Sequence, residues 1–217
     1  MPHPTASRST TSHHRPLARR LAGPGLALAL ALLLGGTQMP SAQAADLAGV
    51  KVDEAAQVAK QELRLNGAGI RYKVIFKVYV VALYLPERHT STAEVLAAPG
   101  PRRIAITMLR DVGSEEFGQS FMSGIQKNSD RAERAKMIGP LTRFGELFAA
   151  IPELKTGDLL LVDWVPGTGM VISLNGRRVA EPINDAAFYN LLMKIWLGDD
   201  PVSAKLKVQL LGERSGS

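Results

Sequence analysis

One arginine and one tyrosine carry the most suggestive chemistry in this chain. Arg71 opens a strongly apolar run just after Gly67-Ala68-Gly69, and Tyr79 shares its parity eight residues on. A guanidinium entering apolar surroundings needs a partner, because an unpaired buried charge is costly. Its planar fork suits a carboxylate, and a tyrosine hydroxyl adds a further donor. Together they would form an anion clamp at one end of an apolar cleft. The alternative is that Arg71 pairs with an internal acid or stands in water, with Tyr79 in the core, since charged residues at strand ends are usually solvated. Geometry adds a condition. Eight extended residues at roughly 3.3 Å each span about 26 Å, so the two meet on one ligand head only if the chain bends or bulges between them.

Other chemistries find little support. The histidines are His3, His13, His14 and His89, and there is no cysteine. A zinc site of the usual His/Cys kind and a cysteine nucleophile are both disfavoured. His89 lies in the polar turn Glu87-Arg88-His89-Thr90, which reads as a solvated loop rather than one arm of a serine triad. The Gly67-Ala68-Gly69 stretch precedes a strand, the wrong context for a phosphate cradle. Glu115-Glu116 and Asp199-Asp200 are adjacent on the chain and read as helix-end charges. No metal and no cofactor is called for.

The elements that must position Arg71 and Tyr79 follow from periodicity and turn signals. Residues 45–55 read as irregular and Val58–Leu65 as a strand. Asn66-Gly67-Ala68-Gly69 reads as a turn, since glycine accepts positive φ freely. Ile70–Leu85 reads as one strand: it alternates at first and is then continuously apolar, implying a wet start and burial on both faces at the end. Pro86 closes it. Ser91 or Thr92 starts a short helix that Pro99-Gly100-Pro101 stops, and Arg103–Leu109 is a strand. Ser114 reads as a cap for a helix whose Phe117, Phe121 and Ile125 form one buried stripe. Ser129-Asp130 restarts a helix that Gly139-Pro140 should break or kink. Leu141, Phe144, Leu147, Phe148 and Ile151 then make a second apolar face. Asp158–Val165, Met170–Leu174 and Val179–Ile183 read as a three-stranded meander with a hairpin signal at Asn175-Gly176. Asn184 or Asp185 caps a helix through Leu197, and Pro201 and Ser203 open a last one toward Leu211. Trp164 and Trp196 read as core. The order gives an α+β fold, an antiparallel sheet with helices on one face.

The first 44 residues read as a cleavable secretory signal. Arg8, Arg15, Arg19 and Arg20 come first, the apolar run Gly25–Leu34 follows, and Ser41-Ala42-Gln43-Ala44 offers a cleavage pattern. Ten apolar residues fall short of the roughly 20 that a spanning helix needs, so no retained membrane anchor is expected. The whole chain is formally +6; the leader holds four arginines and no acid, leaving +2 for residues 45–217. That gives no concentrated basic face for nucleic acid. The expected organisation is a signal at 1–44 and one domain at 45–217, destined for the periplasm or secretion.

The segments Asn66–Arg71, Lys77–Leu85, Met108-Leu109-Arg110-Asp111-Val112, Pro166-Gly167-Thr168-Gly169 with Asn175-Gly176, and Ile195–Val202 together resemble the bacterial chalcone-isomerase-like family. The resemblance implies an open-faced β-sandwich, a large antiparallel sheet with a layer of helices on one face and a cleft between them. Plant chalcone isomerases use an arginine after a Gly-x-Gly turn, a threonine on the next strand, and a tyrosine and an asparagine on a helix. Arg71 matches the first; the others fall at Tyr79, Phe117 and Gly124. Phe117 and Gly124 supply no donor for a developing enolate. Fatty-acid-binding members hold a carboxylate with an arginine and a tyrosine, which Arg71 and Tyr79 resemble, with Phe117 on the cleft wall. The expected partner is therefore a small amphiphile, a fatty acid or a phenolic. The alternative is an isomerase or intramolecular lyase acting on a chalcone-like or other enone.

Overall fold

The computed structural model describes residues 45–212; the leader read in residues 1–44 lies outside them. Strands β1 (Ala45–Leu47) and β2 (Val50–Val52) pair as a hairpin. Strand β3 (Ala55–Val58) turns at Ala59-Lys60 into the long β4 (Gln61–Lys73), and β5 (Phe76–Leu85) returns beside it. Then follow α1 (Thr92–Ala97), β6 (Arg102–Met108), β7 (Val112–Gly113), α2 (Ser114–Lys127), α3 (Arg131–Lys136) and α4 (Ile138–Ala150). The chain ends with β8 (Glu153–Leu154), β9 (Leu159–Val165), β10 (Gly169–Leu174), β11 (Arg177–Arg178), α5 (Ala186–Leu197) and α6 (Ala204–Leu210). The main sheet has seven strands in the order β11-β10-β9-β6-β5-β4-β3, every neighbouring pair antiparallel.

The unbroken apolar run of β5 is buried on both sides, as its composition implies. Tyr79, Val81, Leu83 and Leu85 point into the core shared with α2, α4, α5 and α6. Val80, Ala82 and Tyr84 point the other way, against Leu63, Leu65 and the β1–β2 hairpin. The helices occupy one face, giving the expected α+β architecture. Four helices start on side-chain caps: Ser91 with Glu94 as a capping box, Asp130, Asp185 and Ser203.

Several expected elements are corrected. Residues 45–55 form strands, not an irregular lead-in, and Val58–Leu65 is divided by the Ala59-Lys60 turn, where both residues take positive φ. Ile70–Leu85 is two strands, reversing at Val74-Ile75. Asn66-Gly67-Ala68-Gly69 is no turn but the middle of β4. Val179–Ile183 does not continue as a strand: β11 is two residues long, and only Ile183 bridges back to Met170. Ser114 is not the cap of α2; Gly113 precedes the helix, and the buried Ser114 hydroxyl has no partner among the described residues. The break before α4 falls at Met137, so Pro140 sits in the first helical turn, where no intrahelical donor is needed.

The four-residue stretch in β4 repays the loss of its turn. Arg64 and Leu65 pair with Leu85 and Tyr84, but Gly67 pairs with Leu83, so Asn66 is an extra residue. A bulge of one residue exchanges the two faces of everything beyond it. Leu63 and Leu65 therefore face the β1–β2 side, while Gly67, Gly69 and Arg71 face the helices. Asn66 is buried and its amide is fully engaged: Nδ2 donates to the carbonyls of Leu210 (2.7 Å) and His89 (3.0 Å), and Oδ1 accepts from the His89 amide (2.7 Å). The glycines make room for α6. A Cβ on Gly67 would stand 2.1 Å from the Gln209 carbonyl oxygen, and one on Gly69 would meet the Leu206 and Gln209 side chains at 2.7 and 2.3 Å.

Gly67→Ala should therefore destabilise the protein by about 3 kcal/mol, because rigid backbone is the obstacle. Gly145→Ala, on an exposed part of α4 with open space around it, should be neutral or stabilise by up to about 1 kcal/mol. Urea unfolding midpoints of the two variants check the contrast.

Candidate functional site

The hairpin reversal brings Arg71 and Tyr79 together. Arg71 and Tyr79 are direct cross-strand partners of β4 and β5, and residues opposite each other in a ladder share a face. A second irregularity follows at once, with Val78 the extra residue on β5. Arg71, Tyr79 and Phe117 all line one cavity of about 390 Å³ between this end of the sheet and helices α2 and α5. That volume lies in the range of small-molecule sites.

The cavity is divided by chemistry. Val78, Phe117, Phe121, Ile195 and Val202 form apolar walls. Phe117 is buried, meets the Tyr79 ring edge-on at 6.1 Å, and continues into a cluster with Phe121 and Phe148. A polar stripe of α2, Glu116, Ser120, Ser123 and Lys127, runs along the opening. At the rim Lys73 bonds Glu116 at 2.8 Å, and Lys127 lies 3.8 Å from Asp200.

Arg71 stands apart from these pairs. It is half-buried, and its Nη1 donates to the carbonyl of neighbouring Tyr72. Among the described residues no carboxylate lies within ion-pair distance of it. Tyr79 is held from behind: the Trp196 indole donates to its oxygen at 3.1 Å. Burial pushes the Tyr79 hydroxyl up to about 12, against smaller opposing pulls from the Trp196 hydrogen bond and the Arg71 charge. Like any tyrosine it is neutral at neutral pH, and no acceptor among the described residues takes its proton. A guanidinium with no carboxylate partner among the described residues, beside a tyrosine hydroxyl at the end of a partly apolar cavity, can receive a carboxylate.

Gly124 has a packing reason. A Cβ there would meet Ile195 at 2.9 Å, so the close approach of α2 and α5 leaves no room for a side chain. Together with Phe117, this removes polar groups from the helix side of the cavity floor. Sequence reasoning, which offered Tyr72, Lys73 or Arg110 as alternatives to Tyr79 beside Arg71, overlooked Trp196 as the hydrogen-bond partner of Tyr79 and Lys127 at the rim; Lys73 lines the cavity but is paired with Glu116. The signal for Lys127 was present, since 116, 120, 123 and 127 recur at the helical spacing beside the Phe117 stripe. Nothing local marks Trp196, which is 117 residues from Tyr79.

A family model described as chalcone isomerase-like matches residues 44–212. No curated protein matches the chain. Among solved structures, the chain resembles the fatty-acid binding protein AtFAP1 of Arabidopsis thaliana, at 13% identity and a TM-score of 0.59. The likeness covers 75% of this chain and 92% of the plant protein. At that identity it speaks to the fold.

The buried tyrosines predict a pH profile. Tyr79 and Tyr84 are both pushed up from 10.0 to about 12, chiefly by burial. The folded state keeps these protons after the unfolded chain has released them, so stability is full below pH about 10 and falls as pH rises toward about 12. Tyr79 alone should account for about 2–3 kcal/mol of that loss. Tyr79→Phe should remove its share of the alkaline slope, while costing about 1–2 kcal/mol at neutral pH because the Trp196 N–H loses its acceptor. Urea melts at stepped pH measure both.

Proposed function

The chain belongs to the chalcone isomerase-like family, and from that premise we propose that it binds a fatty acid or similar amphiphilic carboxylate without chemical turnover. The observation that carries this reading is an arginine with no carboxylate partner among the described residues, set beside a tyrosine hydroxyl in a cavity with apolar walls on one side. The clamp orients the ligand. Affinity comes from the apolar walls, at about 0.8 kcal/mol per buried methylene. The structural likeness to a plant protein named for fatty-acid binding supports the same reading. The isomerase alternative asks for donors at Phe117 and Gly124; the first is aromatic and the second has no space for a side chain.

Arg71→Ala should weaken binding of a long-chain fatty acid by about 10–100-fold, the worth of a charge-assisted hydrogen bond pair, with little change in melting temperature. Native mass spectrometry of the purified wild type should find a co-purifying fatty acid that the variant lacks. A consistently empty wild type, or an Arg71→Ala protein that retains the ligand, would sink the reading. Turnover of a chalcone above the buffer rate would favour the isomerase instead.

The proposal includes export, with residues 1–44 removed as a signal and residues 45–217 working in the periplasm or outside the cell. Protein recovered from the periplasm should begin at Ala45 by N-terminal sequencing; an intact leader in that fraction would count against cleavage.

A further inference from the structure

The reversal between β4 and β5 is built from the wrong residues for a solvent-exposed turn. Two-residue hairpins favour glycine, asparagine or aspartate where φ is positive. Here the two central residues are Val74 and Ile75, and Val74 takes φ +58°. Positive φ in a β-branched residue is a genuine outlier. Yet neither side chain is packed. Val74 is 90% exposed, Ile75 76%, Phe76 58% and Tyr72 43%. Four of the five exposed large hydrophobic residues among those described thus fall within this one hairpin tip. A fold that only needed to turn would gain from glycine here, in both strain and solubility.

The charges around the tip are of one sign along the strands. Lys73 and Lys77 flank it, and the Arg110 guanidinium lies over the Phe76 ring at 5.4 Å. Among the described residues the one ion pair to these cations is that of Glu116 with Lys73. An apolar point within a basic collar is the pattern of an interfacial membrane contact: the apolar residues enter the acyl boundary and the cations meet anionic headgroups. The same hairpin forms the cavity wall, because Arg71, Lys73, Val78 and Tyr79 line it immediately behind the tip.

We infer that the Tyr72–Phe76 tip docks on an anionic lipid bilayer and sets the mouth of the cavity at the membrane surface. Its role as a port for the ligand rests on the fatty-acid reading; the membrane contact does not.

The cysteine-free chain allows a local test. Ile75→Cys and, as a remote control, Arg177→Cys on β11 are each labelled with an environment-sensitive fluorophore in the full chain. They are mixed with phosphatidylcholine vesicles with and without phosphatidylglycerol. The label at 75 should shift to the blue with the anionic vesicles and the label at 177 should not. High salt or neutral vesicles should weaken the response about tenfold. Adding Val74→Gly and Phe76→Thr to the labelled protein relieves the turn, so it should fold at least as stably and lose the shift. The idea is overturned by no shift at 75, by equal shifts at both sites, or by a shift without vesicles that grows with protein concentration, which would mean pairing of copies. Arg71→Ala separates the two readings: it should lose fatty acid in solution yet keep the vesicle response within about threefold, since Arg71 lies behind the collar.

Discussion

The geometry of the site depends on one buried amide. Asn66 adds a residue to β4 that β5 does not match, and the exchange of faces follows from the two-residue period of a strand. Were the ladder regular, the parity of Leu63 and Leu65 would carry Gly67, Gly69 and Arg71 to the β1–β2 side. The arginine would then face away from the cavity and α6 would lose its glycine seat. The three hydrogen bonds of Asn66 tie the bulge to the His89 loop and to the last turn of α6. Each bond joins a buried group that would otherwise be orphaned, and leaving such a group unpaired costs about 1–3 kcal/mol. The bulge is therefore held in place by the elements that it serves.

The same stretch explains what was and was not legible in the sequence. Glycines read as a turn because glycine tolerates positive φ, but Gly67 and Gly69 answer a different demand, the close approach of the α6 backbone and of its Leu206 and Gln209 side chains. One residue type serves both needs, and only the position of α6 decides between them. The true turn was hidden for the opposite reason. Val74-Ile75 continues the apolar β-rich pattern through the reversal, so periodicity ran straight across it. That error alone produced the apparent separation of Arg71 and Tyr79. Elements whose signals are local were read well: the caps at Ser91, Asp130, Asp185 and Ser203, the stop at Pro86, and the two-faced burial of β5. Arg71, Tyr79 and Phe117 do meet in one cavity. Trp196 stayed invisible as a site residue because its role is a contact between distant parts of the chain.

On the proposed reading, competing costs in the cavity select a carboxylate. A half-buried guanidinium without a carboxylate retains part of its hydration, and an amphiphile that displaces that water must replace it. A carboxylate does so with charge and two acceptor oxygens, whereas a neutral headgroup supplies no compensating charge. Tyr79 favours the same choice. Its hydroxyl is protonated at neutral pH, as in any tyrosine, and its oxygen accepts from Trp196, which leaves the proton available to an acceptor. Arg71 and Tyr79 offer two donors side by side, and the carboxylate that lines the cavity, Glu116, is paired with Lys73 at the rim. On the helix side, Phe117 meets the Tyr79 ring edge-on and Gly124 leaves no room for a side chain against Ile195.

The hairpin tip and the cavity are then consequences of one strand pair read from its two ends. Behind the reversal, the bulge at Asn66 brings Arg71 onto the face of Tyr79, toward the helices. Ahead of it, a strained Val74 carries apolar surface outward. Backbone strain of this kind costs on the order of 1–3 kcal/mol and persists where the surroundings over-determine it. Nothing packed on Val74 compensates within the described residues, so the folded monomer alone gives no reason for valine over glycine. A free-energy gain made outside the monomer does give one, and burial of the tip in an acyl layer is a gain that grows with the exposed apolar area.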